Sequence, residues 1–375
     1  MDNFVVENLG PIAKADVTFG DLTILTGPQA SGKTLFLETF ALKLDIEHIA
    51  YDFLKSNSID NFDDFLDYYY GDNMHNIFQV NTVLTFNNDK ISKKQFFEEI
   101  RNEIDTCIQE PLSSKVENVF PNILYIPAQR SSAVSEGRIK TSDDFINSPY
   151  VLVKFSQHLR YYIKGTQTEI LSDKIKDFDF LKAAKINMRR NAGSPRLEMT
   201  VNSQTIPYMA WSTGQREFAP LLMVLDDFNL ISVIDYIIIE EPELGLHPRA
   251  IIEFMFTVLK LMKNGVKVII STHSSTPLDF VWTMNRLKHK GEKSFAALAE
   301  MFDFKIKDKN FFDGLFEKEI KVYYFAPDPK TRKVHSKDIS SLDVESEDED
   351  VSNWGGMSLT EREVLFQNSK KIRRL

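Results

Sequence analysis

Apolar and polar positions follow two different rhythms along this chain, and the switches between them mark its elements. Near the N-terminus, Phe4-Val5-Val6-Glu7-Asn8 and Ile12-Ala13-Lys14-Ala15-Asp16-Val17-Thr18-Phe19 read as two strands joined at Leu9-Gly10-Pro11, the second with the two-residue period of a half-buried sheet. Other segments are short, nearly unbroken apolar runs: Leu22 to Thr26, Ile123 to Ile126, Tyr236 to Ile239 and Val266 to Ile270. Such runs predict strands covered on both faces, as in a parallel sheet between helices. Helical spacing takes over at Leu35, Phe36, Phe40 and Leu44, again from Phe218 to Phe228, and from about Pro248 to Lys263. The pattern predicts an α/β fold with a mixed or parallel central sheet flanked by helices, a β-rich N-terminal lobe and helical insertions.

The insertions fall where the strand-helix rhythm lapses. Residues 45–120 are rich in Asp, Asn and aromatics; within them Phe62, Phe65, Leu66, Tyr69 and Tyr70 share one helical face, 77–86 look like a strand and 93–109 like a charged helix. Residues 121–135 form a strand and turn, and 136–183 a helical arm or lid with Phe155, Leu159, Tyr162 and Ile163 on its apolar face. In the lobe 184–337, a hairpin is expected around Asn191 to Pro195, carrying Arg189, Arg190 and Arg196 as a solvated basic spot. Residues 338–375 read as a tail: Ser341 to Asp350 acidic and disordered, Glu361 to Leu375 a helix with a basic end.

Composition narrows the picture modestly. The 375 residues are 43% hydrophobic, enough for a large core, and the net charge of −9 argues against a protein that coats nucleic acid through bulk charge. Cys107 is the single cysteine, so an intramolecular disulfide and a cysteine-based metal site are both excluded. No apolar run approaches the roughly 18 residues of a membrane span, and the expectation is a cytoplasmic protein.

The candidate chemistry sits at the ends of the apolar runs. Gly27-Pro28-Gln29-Ala30-Ser31-Gly32-Lys33-Thr34 fits the G-x-x-x-x-G-K-[ST] pattern of a P-loop, and it lies between a strand and a helix as that motif requires. Its glycines let backbone N–H groups close round phosphate oxygens, while Lys33 meets the outer phosphates. The strand ending at Ile126 delivers Gln129 and Arg130 to the edge of such a pocket. Ser212-Thr213-Gly214-Gln215 precedes a helix start, where a hydroxyl and free N–H groups bind an anion or, more simply, cap the helix. Tyr236 to Ile239 ends in Glu240-Glu241, the first placed to face a Mg²⁺ ion and the second to orient or deprotonate a water. His273, at the end of the last buried strand, is placed to bond the outermost phosphate.

With these segments together, the chain resembles the ABC-type ATPases, specifically the prokaryotic branch that includes the overcoming-lysogenization-defect (OLD) proteins and the SMC-like repair ATPases. The resemblance covers residues 1–44, 121–131 and about 184–335. Ser212 to Gln215 looks like the ABC signature, Glu240-Glu241-Pro242-Glu243-Leu244-Gly245-Leu246-His247-Pro248 like this branch's Walker B and D-loop, and His273 like the switch histidine. Gln129 is similar in placement to the Q-loop glutamine. Trp211, Thr213 and Glu240 depart from the transporter-type motifs and suit the OLD-like branch better.

What the resemblance implies is a slow ATPase with ATP and Mg²⁺ as cofactors. ATP would lie on Gly27 to Thr34 of one subunit and be capped by Ser212, Gly214 and Gln215 of another, in a head-to-tail homodimer or higher homo-oligomer. Glu241, His273 and Lys33 would be catalytic, and Thr34, Glu240 and Gln129 would surround the metal. The expectation is that the TOPRIM nuclease domain of OLD proteins is lacking here. A gated or driven partner is therefore expected, in anti-phage defence or DNA metabolism. The competing readings are an ATP-bound scaffold with little turnover that holds a nuclease or toxin effector, and a repair ATPase acting on DNA ends.

Overall fold

The computed structural model describes residues 2–56, 62–109, 123–165, 169–170, 184–189, 195–226, 231, 233–288, 298, 300 and 314–356. Its strands in chain order are β1 (Asn3–Leu9), β2 (Ile12–Thr18), β3 (Leu22–Thr26), β4 (Phe78–Phe86), β5 (Asp89–Ser92), β6 (Ile123–Ile126), β7 (Val134–Ser135), β8 (Arg138–Ile139), β9 (Glu169–Ile170), β10 (Ala184–Arg189), β11 (Arg196–Val201), β12 (Gln204–Pro207), β13 (Tyr236–Glu240), β14 (Lys267–Thr272), β15 (Ile320–Pro327) and β16 (Val334–Asp338). Ten of them make one sheet, ordered β5-β4-β1-β2-β16-β15-β3-β14-β13-β6. Neighbours from β15 through β3, β14 and β13 to β6 are parallel, whereas β1, β2, β4 and β5 pair antiparallel. The expected α/β class with a mixed central sheet is the one observed.

The continuous apolar runs are explained by what covers them. Every residue of β3, β6 and β13 is buried. Successive side chains of a strand point to opposite faces, and here they enter two different cores. Ile24, Ile237, Ile239, Val268 and Ile270 join one; Leu25, Ile238 and Ile269 join the other. The second core is filled by the helix Lys33–Leu44 and the aromatic helix Phe62–Tyr70. The first takes the helices Thr213–Leu225, Pro248–Lys263 and Thr276–Leu287.

Three expectations change. Residues 45–120 are not simply an insertion, because β4 pairs with β1 and β5 with β4, extending the main sheet. The aromatic stripe of Phe65, Leu66, Tyr69 and Tyr70 is buried against it. The expected arm at 136–183 contains the helix Tyr150–Gly165, and this helix bridges the cores: Tyr150 and Val151 lie in one, Phe155, Leu159, Tyr162 and Ile163 in the other. Lastly, Ser341 to Asp350 is ordered. Lys337 Nζ holds Asp348 at 2.5 Å and Asp350 at 2.7 Å, relieving the repulsion that composition alone suggests, and Ile339, Leu342 and Trp354 are buried around it. The expected basic C-terminal helix from Glu361 lies outside the described residues, as do Arg190 to Ser194 of the hairpin between β10 and β11.

Trp354 anchors this segment by donating from Nε1 to Leu342 O at 3.0 Å and packing near Trp282. Trp354→Ala should therefore destabilise the whole domain by about 3–5 kcal/mol, read as a lowered denaturant midpoint. An unchanged midpoint would show that this segment is peripheral.

Candidate functional site

Because β3, β14, β13 and β6 run parallel, their C-terminal ends open on one edge of the sheet, where α/β folds bind ligands. Register aligns them: Thr272 lies opposite Thr26, and Glu240 opposite Ser271. The P-loop, His273, Glu240-Glu241 and Gln129 all follow from these ends. A cleft of about 550 Å³ is lined there by Gln29 to Leu35, Glu38, Gln129, Glu241, Ser271 and His273, among others, within the size range of small-molecule sites.

The loop owes its shape to residues that permit unusual backbone. Gly32 caps the helix Lys33–Leu44 at φ +84°, and a Cβ there would meet Ile12 Cγ1 at 2.9 Å. The helix start leaves N–H groups without intrahelical partners, directed at the cleft. Lys33 is buried, and its Nζ donates to Gly27 O at 2.9 Å, Pro28 O at 3.0 Å and Ser31 Oγ at 3.2 Å. Burial lowers the Lys33 pKa to about 8, with Glu241, Glu243 and Glu240 pulling it back up. An anionic ligand would relieve that cost.

Glu240 ends β13 at 4% exposure. Burial raises its pKa; the Thr34 and Tyr125 hydroxyls and the Ala128 N–H act against the rise, and Glu241 adds to it. Even so, Glu240 Oε1 and the Tyr125 hydroxyl are enclosed without a partner of hydrogen-bond length. A buried carboxylate with one unpartnered oxygen, beside the Thr34 hydroxyl, is a hard-oxygen donor set that fits Mg²⁺. That ion typically takes one or two protein ligands and completes its shell with phosphate and water. Among the described residues there is no cluster of three or more His, Cys, Asp or Glu suited to a metal. Gln129 lines the same cleft and is exposed.

Glu241 follows in the left-handed region at φ +41°, uncommon for a non-glycine residue. Its N–H donates to Ser271 O at 2.9 Å, and its Oε1 lies 3.2 Å from His273 Nε2. Glu243 supports the histidine: its Oε1 accepts the Thr272 hydroxyl at 2.8 Å and the His273 N–H at 2.7 Å. A carboxylate, an imidazole and the lysine of the P-loop thus converge on one cleft.

The structure does not bring every expected residue there. Ser212, Gly214 and Gln215 do not line the cleft. Ser212 is exposed and caps the helix Thr213–Leu225, with its Oγ accepting from Gln215 N at 3.3 Å while Gln215 Oε1 accepts from Ser212 N at 3.0 Å. Gly214 is buried, because a Cβ on it would collide with the Gly245 carbonyl. Its smallness lets the helix Thr213–Leu225 pack against the loop after Glu241, and Ser212 is the exposed residue of the two.

Some residues at the site carried no specific role from sequence. Glu38 is a buried carboxylate lining the cleft one turn beyond Thr34, held well above the usual range by burial and by Glu240. It interrupts the apolar run Leu35-Phe36-Leu37 on a buried helix, which is the signal that marks it. Glu217, buried at the polar start of the helix Thr213–Leu225 where no sequence signal marks it, accepts from Ser131 N at 3.0 Å and from the Ser131 hydroxyl. Arg130, expected only at the pocket's edge, is wholly buried.

Fold and site together define a P-loop ATPase: a strand-loop-helix phosphate cradle with a carboxylate pair two strands away across the histidine strand. The chain belongs to the AAA ATPase domain family, whose model matches residues 38–276, a span that includes Glu240, Glu241 and His273 and begins just after the P-loop. Among solved structures, the SMC head domain from Thermotoga maritima is similar at 11% identity and a TM-score of 0.36, covering 73% of this chain and 89% of that one. An SMC head bound to the C-terminal winged-helix domain of ScpA is similar at 11% identity and a TM-score of 0.39, with the same coverage of 73% and 89%. No curated protein matches the chain.

The Glu243 contacts give a direct expectation. Glu243→Ala leaves the Thr272 hydroxyl and the His273 N–H without their acceptor, so ATP turnover should fall about 10–100-fold while nucleotide affinity changes little, an order of magnitude set by misplacement of catalytic groups. Parallel assays of phosphate release and nucleotide binding check this, and turnover equal to wild type would contradict it.

Proposed function

We propose that this chain binds Mg²⁺·ATP on Gly27 to Thr34 and hydrolyses it with Glu241, and that the site is completed by Ser212 of a second copy in a head-to-tail pair. The observation that carries the reading is spatial. One subunit supplies Gln29 to Thr34 of the phosphate loop, Glu241 and His273 to a single cleft, with Glu240 buried just before Glu241, while its helix-capping Ser212 stands exposed elsewhere.

Lys33 has three acceptors within its own loop to exchange for phosphate oxygens. Thr34 and Glu240 would hold the Mg²⁺, with Gln129 at the rim of the same cleft. The bound ion supplies charge neutralisation on the phosphates. Glu241 is positioned to accept a proton from the attacking water, and His273, 3.2 Å away, to fix the orientation of that carboxylate. Positioning and charge stabilisation account for most of the catalysis in phosphoryl transfer, so pairing that excludes water would complete the site.

In this reading the opening and closing of the pair gates a partner, a nuclease or toxin subunit in anti-phage defence. The support is the resemblance of the motifs to the OLD-like branch. A nucleic-acid partner is less favoured, because Arg189 and Arg196 on β10 and β11 are engaged by Glu198 at 3.3 Å and Glu136 at 3.2 Å. Among the described residues no helix is long and apolar enough to cross a membrane; cytoplasmic placement remains part of the proposal.

Glu241→Gln is the test. Hydrolysis should drop by about 10²–10⁴-fold, the typical contribution of a general base, while ATP binding persists and the variant accumulates as an ATP-dependent dimer by light scattering. Full turnover in the variant would remove Glu241 from the mechanism, and a monomer at saturating ATP would remove the pair.

A further inference from the structure

Among the described residues, Arg130 is the largest side chain that is wholly buried. It sits immediately after Gln129, where the chain leaves β6. Its Nε donates to Glu217 O at 2.9 Å, its Nη1 to Pro127 O at 3.2 Å and Glu240 O at 2.7 Å, and its Nη2 to Glu241 O at 3.1 Å. Four carbonyls from three separate segments therefore share one guanidinium. Burying that charge is costly, and Glu217, Glu243, Glu240 and Glu241 surround it to offset the cost. Such an arrangement exceeds what is needed to fill space, for which an apolar side chain would serve.

The segments joined are informative. Glu217 lies one turn into the helix that Ser212 caps, and its carboxylate also grips Ser131 beside Arg130. Glu241 is the residue held at φ +41°, a conformation that persists only where surrounding contacts enforce it. Its carbonyl is fixed by Arg130 and Leu244 N, and its N–H by Ser271 O. Arg130 is thus the side chain that links the signature helix to the strained backbone of the catalytic carboxylate.

We infer that Arg130 and Glu217 are positioning residues that couple the signature helix to Glu241, so that docking of a partner subunit's nucleotide on Ser212 is relayed to hydrolysis at the subunit's own P-loop. The inference rests on the head-to-tail pair proposed above. A shift of the helix moves the Glu217 carbonyl and carboxylate, the planar guanidinium follows as a rigid fork, and the Glu241 carbonyl moves with it. The two ATP sites of a pair then fire in a correlated way, each reporting its occupancy to the other.

The test uses Glu217→Gln, Ser131→Ala and Arg130→Lys in the full chain. Two readouts are needed: ATP turnover against ATP concentration, and hydrogen exchange of the nucleotide-free protein across residues 240–246. The relay predicts turnover lowered about tenfold in Glu217→Gln with ATP affinity within about twofold of wild type, a split expected for a group acting only on the transition state. It also predicts a Hill coefficient falling toward one and faster exchange confined to 240–246, with β3 unchanged. A purely structural role would instead lower the melting temperature and speed exchange throughout the sheet. If Arg130→Lys fails to fold, Glu217→Gln and Ser131→Ala decide. Wild-type turnover, cooperativity and exchange in both would overturn the relay while leaving the ATPase reading intact. A wild-type chain that forms no pair with ATP would overturn both.

Discussion

The interaction on which this structure depends is the two-sided burial of β3, β14, β13 and β6. Because both faces of these strands are covered by separate cores, their interiors admit almost no polar side chain, and the chemistry is pushed to their C-terminal ends. There the chain stops being extended and backbone N–H groups, carboxylates and an imidazole come together within one cleft. The same constraint explains the strained backbone. Glu241 must turn abruptly at the end of a rigid strand, and it is held there by Ser271 and Arg130. Sheet packing, site geometry and strain are one arrangement viewed at three scales.

Much of this was legible in the residues, and the reasons differ by element. The strands β3, β6 and β13 were plain because an apolar run buried on both faces needs no partner to be recognised. The P-loop was plain because glycine, lysine and threonine at fixed spacing serve one purpose, and His273 and Glu241 because each terminates such a strand. Residues 78–92 were harder: pairing of β4 with β1 is a contact between distant segments, and nothing local in Phe78 to Phe86 announces which edge it joins. The tail at Ser341 to Asp350 was misread as disordered because composition counts its carboxylates without seeing Lys337 between two of them. Arg130 was visible as a residue but not as a hub, since its partners Glu217 and Glu240 lie about 90 and 110 positions away in the chain.

In the proposed head-to-tail pair, the division of the site between two copies is the feature with the largest functional consequence. Lys33, Thr34, Glu240 and Glu241 are rigidly placed by one subunit. Ser212 is held by a capping box on a helix that is itself pinned by the approach of Gly214 to Gly245. A capping serine would ordinarily need no further explanation. What lends it weight is that this helix is bonded to the catalytic edge through Arg130 and Glu217, so a group that touches Ser212 touches a lever connected to Glu241.

The most direct measurement of this account is subunit complementation. Lys33→Ala disables the P-loop and Ser212→Arg blocks the capping surface, so each protein alone should be nearly inactive. Mixed in equal amounts, a symmetric head-to-tail pair yields heterodimers with one intact composite site, and random assortment leaves about a quarter of the wild-type sites intact. Turnover should rise above both parents but stay below that quarter, because the intact P-loop sits on the subunit whose own Ser212 is blocked and so lacks the relayed input. A mixture no more active than the average of its two parents, or a Ser212→Arg protein that is fully active by itself, would contradict it.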